Sequence, residues 1–164
     1  MCIMKHVNAT PRSLQQMVDY LSNEEKTGNQ GVFGIGVNPE APAQEMQFVQ
    51  DVFCREGLKH PYIQVIFSFD TGITLSPEEV QDICIRIGQI LISDDRQVFG
   101  AIHSLGTNNI HCHYMINAVG IDGSLYQQGH HVNYFKHKAN EVLREYGLPP
   151  IKVSSPSLPF GIRS

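Results

Sequence analysis

The sequence predicts an α+β fold with a largely antiparallel central sheet and helices on its faces. The expected elements follow in the order strand, helix, strand, helix, strand, helix, strand, strand, helix. Two strands within residues 97–117 are joined by the turn-forming segment Gly106–Asn109, which predicts an antiparallel hairpin. Ser76–Glu79 forms a capping box with proline at the first helical position, so it marks a helix start clearly.

In the first half of the chain, hydrophobic periodicity predicts two helices between short strands. A strand is expected over Met1–Asn8 and a glycine-rich strand over Gly31–Val37, which lacks the Lys-Ser/Thr end of a phosphate loop. A helix from Ser13 carries an apolar stripe at three-and-four spacing, made of Leu14, Met17, Val18 and Leu21. A second helix is predicted over Pro42–Arg55, with four residues facing inward, namely Met46, Val49, Val52 and Phe53.

The second half supplies a central strand, two more helices and a tail. His60–Phe69 is rich in β-forming residues and is expected beside the hairpin. The helix after Ser76 has a core stripe consisting of Val80, Ile83, Ile87, Ile90 and Leu91. A last helix is predicted over Asn133–Tyr146, ended by Gly147. We expect one domain over residues 1–150 and a linker-like tail over residues 151–164.

Length and composition restrict the class of protein. With 164 residues, 41% hydrophobic and 17% charged, the chain suits one soluble domain with a real core. It contains neither a signal sequence nor an apolar run of about 20 residues, so a cytoplasmic location without a membrane partner is expected. The four cysteines form no C-x-x-C pair and are expected to be reduced packing residues. A net charge of −4 argues against broad electrostatic affinity for nucleic acid.

Three histidines in the hairpin form the strongest candidate site. His111 and His113 are two residues apart on one strand, so their side chains share a face. The antiparallel partner strand ends at His103, which should lie beside them. One histidine alone would usually be structural, but three neutral imidazoles on one face form a plausible site for a divalent metal. Asn117 shares this face and could orient a ligand or phosphate, or make a cross-strand hydrogen bond.

Four motifs occur in order along residues 1–150, namely Ser13–Leu14, Asp19–Thr27, His60–Phe69, and His103 with His111–Asn117. Together they resemble the relaxase or mobilisation nuclease family of His-hydrophobic-His endonucleases, the MobA/VirD2-like proteins. The resemblance implies a ferredoxin-like split-βαβ core, a divalent metal, Mg or Mn, on the three histidines, and a tyrosine that nicks one strand of transfer-origin DNA. Tyr20 matches that tyrosine, and Lys26 after it is a candidate phosphate contact or a solvated surface lysine.

The resemblance also implies single-stranded origin DNA and accessory mobilisation proteins as partners, with no nucleotide cofactor, because a phosphotyrosyl link stores the bond energy. The chain departs from the family pattern at Leu105, where an acidic residue is common, so a carboxylate that orients a histidine is missing. The general base stays open among four candidates, Glu25, His60, His130 and His131. Two alternatives also stay open: a replication-initiator-type or other metal-dependent phosphodiesterase, and a non-enzymatic metal- or DNA-binding module.

Overall fold

The structure is a computed structural model that describes residues 1–7, 11–23, 31–92, 95–104, 109–126 and 132–153. Its strands are β1 Ile3–His6, β2 Val32–Ile35, β3 Tyr62–Ser68, β4 Val98–His103 and β5 His111–Asn117. Its helices, within the same ranges, are α1 Leu14–Leu21, α2 Pro42–Val52, α3 Pro77–Ile92 and α4 Val132–Glu145. Of these helices, none combines the length and the apolar character needed to cross a membrane.

The five strands form one sheet in the order β1-β3-β5-β4-β2. Every pairing between neighbouring strands is antiparallel. Since β3 and β4 are both antiparallel to β5, they run parallel to each other, and α3 connects them while β5 lies between them. This is a split-βαβ arrangement. The α+β class, the antiparallel sheet and the predicted hairpin are therefore confirmed.

Helices α3 and α4 cover one face of the sheet, which we call the α3/α4 face. Residues 62–68 of β3 alternate between half-buried and buried, so Ile63, Val65 and Phe67 enter a large apolar cluster on this face. The capping box of α3 forms as expected, with the Ser76 hydroxyl 3.1 Å from the Glu79 backbone nitrogen. Burial of these apolar side chains against two amphipathic helices forms the main core.

Helices α1 and α2 lie on the opposite side, the α1/α2 face. The predicted stripe of α1 is buried there in a smaller cluster that includes Met46 and Met115. A capping box fixes the start of α1, because the Ser13 hydroxyl accepts from the Gln16 backbone and the Gln16 side chain accepts from the Ser13 backbone. The helix that carries Tyr20 is therefore held at its first turn and along its apolar stripe.

Helix α2 ends earlier than the sequence predicts. The expectation that Val52 and Phe53 face inward is wrong, because their side chains are 55% and 37% exposed. Cys54 has a φ of +53°, a left-handed conformation that does not continue a right-handed helix, so the helix cannot extend to Arg55 as predicted. Cys54 is exposed, so the expectation of buried packing holds for the other three cysteines, Cys2, Cys84 and Cys112.

Packing continues slightly past the expected end of the domain. Ile151 is buried, forms a bridge with Cys2 of the N-terminal segment, and exchanges two hydrogen bonds with the Asn140 side chain at 2.7 and 3.0 Å. The C-terminal end of the described chain is thus tied to α4 and to the start of β1. Most of the expected tail, residues 154–164, lies outside the described residues.

Candidate metal centre and active site

The three histidines converge at one end of the β4–β5 hairpin. His103 and His111 are directly opposed in the antiparallel register, and His113 follows two residues later on the same face. One nitrogen from each ring lies within 4.8 Å of the others, and the ring centroids are 4.3 to 5.4 Å apart. His103 and His113 are buried while His111 is partly open to solvent. This histidine cluster can hold a metal ion while leaving access for a ligand.

Hydrogen bonds to backbone carbonyls orient two of the rings. Nε2 of His103 is 2.9 Å from the Leu21 carbonyl oxygen, and Nδ1 of His111 is 3.1 Å from the Asn109 carbonyl oxygen. A carbonyl oxygen only accepts, so each of these nitrogens carries a proton and donates it. The lone pair of a neutral ring then lies on Nδ1 of His103 and on Nε2 of His111. Outward hydrogen bonds of this kind are typical of metal-binding histidines, so the donor set fits a divalent cation.

The residues between and beside the histidines point to the other face. Cys112 and Tyr114 are fully buried in the apolar cluster, and the Tyr114 hydroxyl donates to the Cys84 carbonyl oxygen at 2.6 Å. Burial raises the pKa of Tyr114 and of the Cys84 thiol well above their usual values, because the interior disfavours their charged forms. These groups stay neutral, and the strands that present the histidines rest on an uncharged core.

Tyr20 lies near the C-terminal end of α1, with 39% of its surface exposed. The next residue, Leu21, contributes the carbonyl that accepts the hydrogen bond from His103. The Arg12 guanidinium lies over the Tyr20 ring, 4.0 Å from its centroid, in cation–π geometry. The structure therefore places the backbone of Leu21, the residue after Tyr20, against the histidine cluster, and places one cationic side chain against the Tyr20 ring.

A cleft of about 720 Å³ adjoins the histidine cluster through Gln64. The Gln64 side-chain nitrogen is 3.1 Å from Nδ1 of His113, and Gln64 also lines the cleft. Tyr62, Tyr126 and Lys59 lie along the same cleft. Aromatic rings beside a basic side chain are the groups on which unpaired bases stack and to which phosphates bind.

Asn117 has a structural role in this fold, and the expected contact with DNA is corrected. Its side chain is fully buried. Its amide nitrogen donates to the Met46 carbonyl oxygen at 3.2 Å and to the Gln97 side chain at 3.0 Å. Its amide oxygen accepts from the Gln50 side chain and the Val119 backbone at 2.9 and 3.0 Å. Each side-chain group of Asn117 is thus used within the core. None of these four partners lies on one of the five strands, so the bonds differ from the cross-strand hydrogen bond that was the other expectation.

One of the four general-base candidates lies within the described residues, because His60 is exposed and lines the cleft. The other three, Glu25, His130 and His131, lie outside the described residues. So do Lys26, the expected phosphate contact, and Leu105, where an acidic residue is common in the family.

Two residues near the site, Arg12 and Gln64, were not predicted from the sequence. Gln64 interrupts an otherwise apolar stretch of β3, and strand alternation could have placed it on the α1/α2 face with the histidines. Arg12 precedes the N-cap residue Ser13, and no local pattern predicts that its side chain folds over Tyr20.

Comparisons with known proteins give a family and a similar fold. A family model described as relaxase, MobA/VirD2-like, nuclease domain, matches residues 20–148. A structure solved for the molecular basis of vancomycin resistance transfer in Staphylococcus aureus is similar in fold, with a TM-score of 0.63 at 12% identity, covering 93% of this chain and 99% of that chain. A search of curated proteins finds no match. Because the family model extends from Tyr20 through the histidine cluster into the residues after α4, the chain belongs to the MobA/VirD2-like relaxase nuclease family.

Proposed function

We propose that this chain nicks one strand of transfer-origin DNA by transesterification on Tyr20. The observation that carries the proposal is the hydrogen bond between His103 and the Leu21 carbonyl. It fixes the end of α1 to the histidine cluster, so that Tyr20 stands one residue from the anchored point. An in-line attack on phosphorus requires a nucleophile and a metal-binding group whose relative positions are fixed.

Tyr20 needs assistance to act as a nucleophile. A free tyrosine has a pKa near 10, so its phenolate is scarce at neutral pH. The guanidinium of Arg12 lies 4.0 Å from the ring centroid, so it holds a positive charge beside the proposed nucleophile. When bound to His103, His111 and His113, a divalent cation, Mg or Mn, would neutralise the oxygens of the scissile phosphate and act as a Lewis acid.

In the proposed step, the Tyr20 oxygen forms a bond to phosphorus and the bond from phosphorus to the 3′ oxygen breaks. The phenol gives up its proton and the departing oxygen takes one up, leaving a 3′ hydroxyl and a 5′-phosphotyrosyl link. One ester replaces another, so attack by a 3′ hydroxyl on that link reseals the strand. The joining reaction therefore needs no nucleotide cofactor.

The substrate we propose is single-stranded DNA, which can pass the exposed Tyr20 and enter the cleft beside His113. Tyr62 and Tyr126 offer faces for unpaired bases, and Lys59 offers a charge for a phosphate. The net charge of −4 supports only a modest electrostatic contribution to affinity. We therefore propose that accessory mobilisation proteins share the task of binding the origin.

Covalent capture tests this function. The chain is incubated with Mn²⁺ and an origin oligonucleotide labelled on the 3′ side of the nick, then denatured. Wild type and Tyr134→Phe, whose altered side chain belongs to α4 on the opposite face, should both retain label, while Tyr20→Phe should retain none. Mass spectrometry should place the adduct on the peptide that contains Tyr20.

The same experiment separates the alternatives. Cleavage without a covalent adduct would favour a phosphodiesterase in which water attacks. An adduct on Tyr62, Tyr114 or Tyr126 would move the nucleophile to another residue. Metal binding without cleavage would favour a non-enzymatic module.

A further inference from the structure

Gln64 contacts His113 through a side-chain amide. This contact differs in kind from the hydrogen bonds that His103 and His111 make to backbone carbonyls. It lies on β3, on the same face as His113, and its side-chain nitrogen is 3.1 Å from Nδ1 of that ring. His103 and His111 face backbone carbonyls, which can only accept a hydrogen bond. The Gln64 amide offers a donor at one end and an acceptor at the other. Its orientation therefore decides which nitrogen of His113 carries the proton.

The two orientations have opposite consequences for His113. When the amide NH₂ faces Nδ1, that nitrogen accepts, and the proton of the neutral ring is on Nε2. A protonated Nε2 has no lone pair for a cation. When the amide turns by 180° about its last torsion, the carbonyl oxygen faces Nδ1 and accepts a proton from it, and the lone pair moves to Nε2. The ring position is unchanged, because the two ends of the amide are nearly equal in size.

We propose that Gln64 is a positioning residue for His113, and that its amide oxygen holds the ring in the tautomer that binds the metal through Nε2. The proposal rests on the metal role of the histidine cluster given above. It also assigns a side-chain partner to His113, whereas the other two histidines have backbone partners. A neutral amide accepts less strongly than a carboxylate, so it makes His113 a weaker ligand than a carboxylate would.

Metal affinity provides the first test. Calorimetric titration with Mn²⁺ is carried out on wild type, Gln64→Leu and Gln64→Glu, with Gln47→Leu as a matched control from α2, where the residue bonds only to Asp51 among its described contacts. Gln64→Leu should weaken Mn²⁺ binding roughly 10- to 100-fold, the range seen when partners of metal-binding histidines are removed. Gln64→Glu should bind at least as tightly as wild type, and Gln47→Leu should match wild type.

The tautomer provides a second test that does not depend on metal or on activity. Ring ¹⁵N shifts of His113 in the metal-free protein report which nitrogen is protonated. In Gln64→Glu the carboxylate can only accept, so His113 should carry its proton on Nδ1, whereas Gln64→Leu should lose that preference. This measurement remains informative if Gln64→Leu folds poorly, because Gln64→Glu keeps the size and polarity of the side chain.

The outcomes distinguish this proposal from the proposed function. If wild type binds Mn²⁺ and His111→Ala weakens it while Gln64→Leu does not, the role of Gln64 is overturned and the metal site stands. If wild type and His111→Ala are equally unable to bind Mn²⁺, the metal role fails. In that case a His113 proton on Nε2 in Gln64→Glu, or the same tautomer in Gln64→Leu as in wild type, would also overturn the role of Gln64.

Discussion

The two faces of the central sheet are built from the same strands but are used differently. On the α3/α4 face, Cys112, Tyr114 and Ile116 of β5 join a continuous apolar cluster. On the α1/α2 face, the alternate residues of the same strand include His111, His113 and Asn117. Strand alternation thus separates a face built for burial from a face that carries polar groups with specific partners.

The difference shows how one strand can supply both stability and chemistry. The apolar side chains contribute to the stability of the fold because they are buried away from water, and this effect requires no particular partner. The buried polar side chains of the α1/α2 face, such as His103 and Asn117, are hydrogen bonded to the backbone or to other side chains. Changes on the first face should therefore affect unfolding, while changes near the histidine cluster should affect metal binding and cleavage.

The largest change in stability is expected on the α3/α4 face. Phe67 is fully buried, and its ring packs edge-on against Phe69 with centroids 4.8 Å apart. Phe67→Ala should lower the free energy of unfolding by about 3–5 kcal/mol, through lost burial and the cavity left behind. Urea denaturation measures this loss. Phe48→Ala is the control, because that side chain is 68% exposed and should cost less than about 0.5 kcal/mol.

Metal binding by the same variant tests whether the two faces of the sheet act independently. Metal affinity per folded molecule should be the same for Phe67→Ala and wild type, since Phe67 points away from the histidine cluster. If Phe67→Ala instead loses metal affinity while remaining folded, the two faces are coupled more tightly than strand alternation implies.

The second prediction concerns the histidine cluster. His111→Ala should weaken Mn²⁺ binding by at least about 100-fold, because loss of a ligand should exceed the effect of losing a ligand's partner. Its unfolding free energy should change little, since His111 is partly exposed at the end of β5. Calorimetry and urea denaturation measure the two quantities. His137→Ala, an exposed histidine on α4, is the control. Equal Mn²⁺ affinity in both variants would remove the metal hypothesis.

Much of this division between the faces could be predicted from local patterns. An antiparallel hairpin was expected to bring His103 beside the other two histidines, and the shared face of His111 and His113 follows from the period of a strand. The capping box at Ser76 and the apolar stripe of the next helix correctly predicted α3. These features depend on residues close in sequence, which is why sequence was sufficient.

The features that could not be predicted depend on residues far apart in sequence. Asn117 meets Gln50 and Gln97 only after α2 docks on the sheet, so the sequence could not distinguish a buried hydrogen-bonding residue from a DNA contact. The stacking of Arg12 on Tyr20 depends on the side-chain conformation of Arg12, which no periodic pattern in the sequence predicts. The early end of α2 depends on the backbone conformation of Cys54, a residue with no strong preference for it.

The third prediction tests the corrected role of Asn117. Asn117→Ala leaves the buried side chains of Gln50 and Gln97 without a partner, so the free energy of unfolding should fall by about 1–3 kcal/mol. Gln15→Ala, an exposed change on α1, should have a much smaller effect. Binding of single-stranded DNA per folded molecule should be retained. Unchanged stability with a large loss of DNA affinity would restore the original expectation of a DNA contact.

The smallest effect is expected from the ion pair between α3 and α4, on the outer surface above the apolar cluster. The Arg86 guanidinium nitrogens contact the two Glu145 carboxylate oxygens at 2.8 and 3.0 Å. This bond lowers the pKa of Glu145, because the guanidinium stabilises the charged carboxylate. Since the pKa is lower in the folded than in the unfolded chain, the contribution to stability is present at neutral pH. It is lost as the pH falls through the folded pKa.

We therefore expect Glu145→Gln to lower the Tm by no more than about 3 °C at pH 7, because both side chains are accessible to water and to salt. The difference from wild type should shrink at acidic pH, as the wild-type carboxyl becomes protonated, and should also shrink in about 1 M salt. Thermal unfolding at neutral and acidic pH, and at low and high salt, measures both effects, with Glu56→Gln as an exposed control. A Tm difference that persists at low pH would mean that Glu145 acts through uncharged hydrogen bonding or packing. The α3/α4 side would then depend on surface contacts in addition to the apolar burial that Phe67→Ala tests.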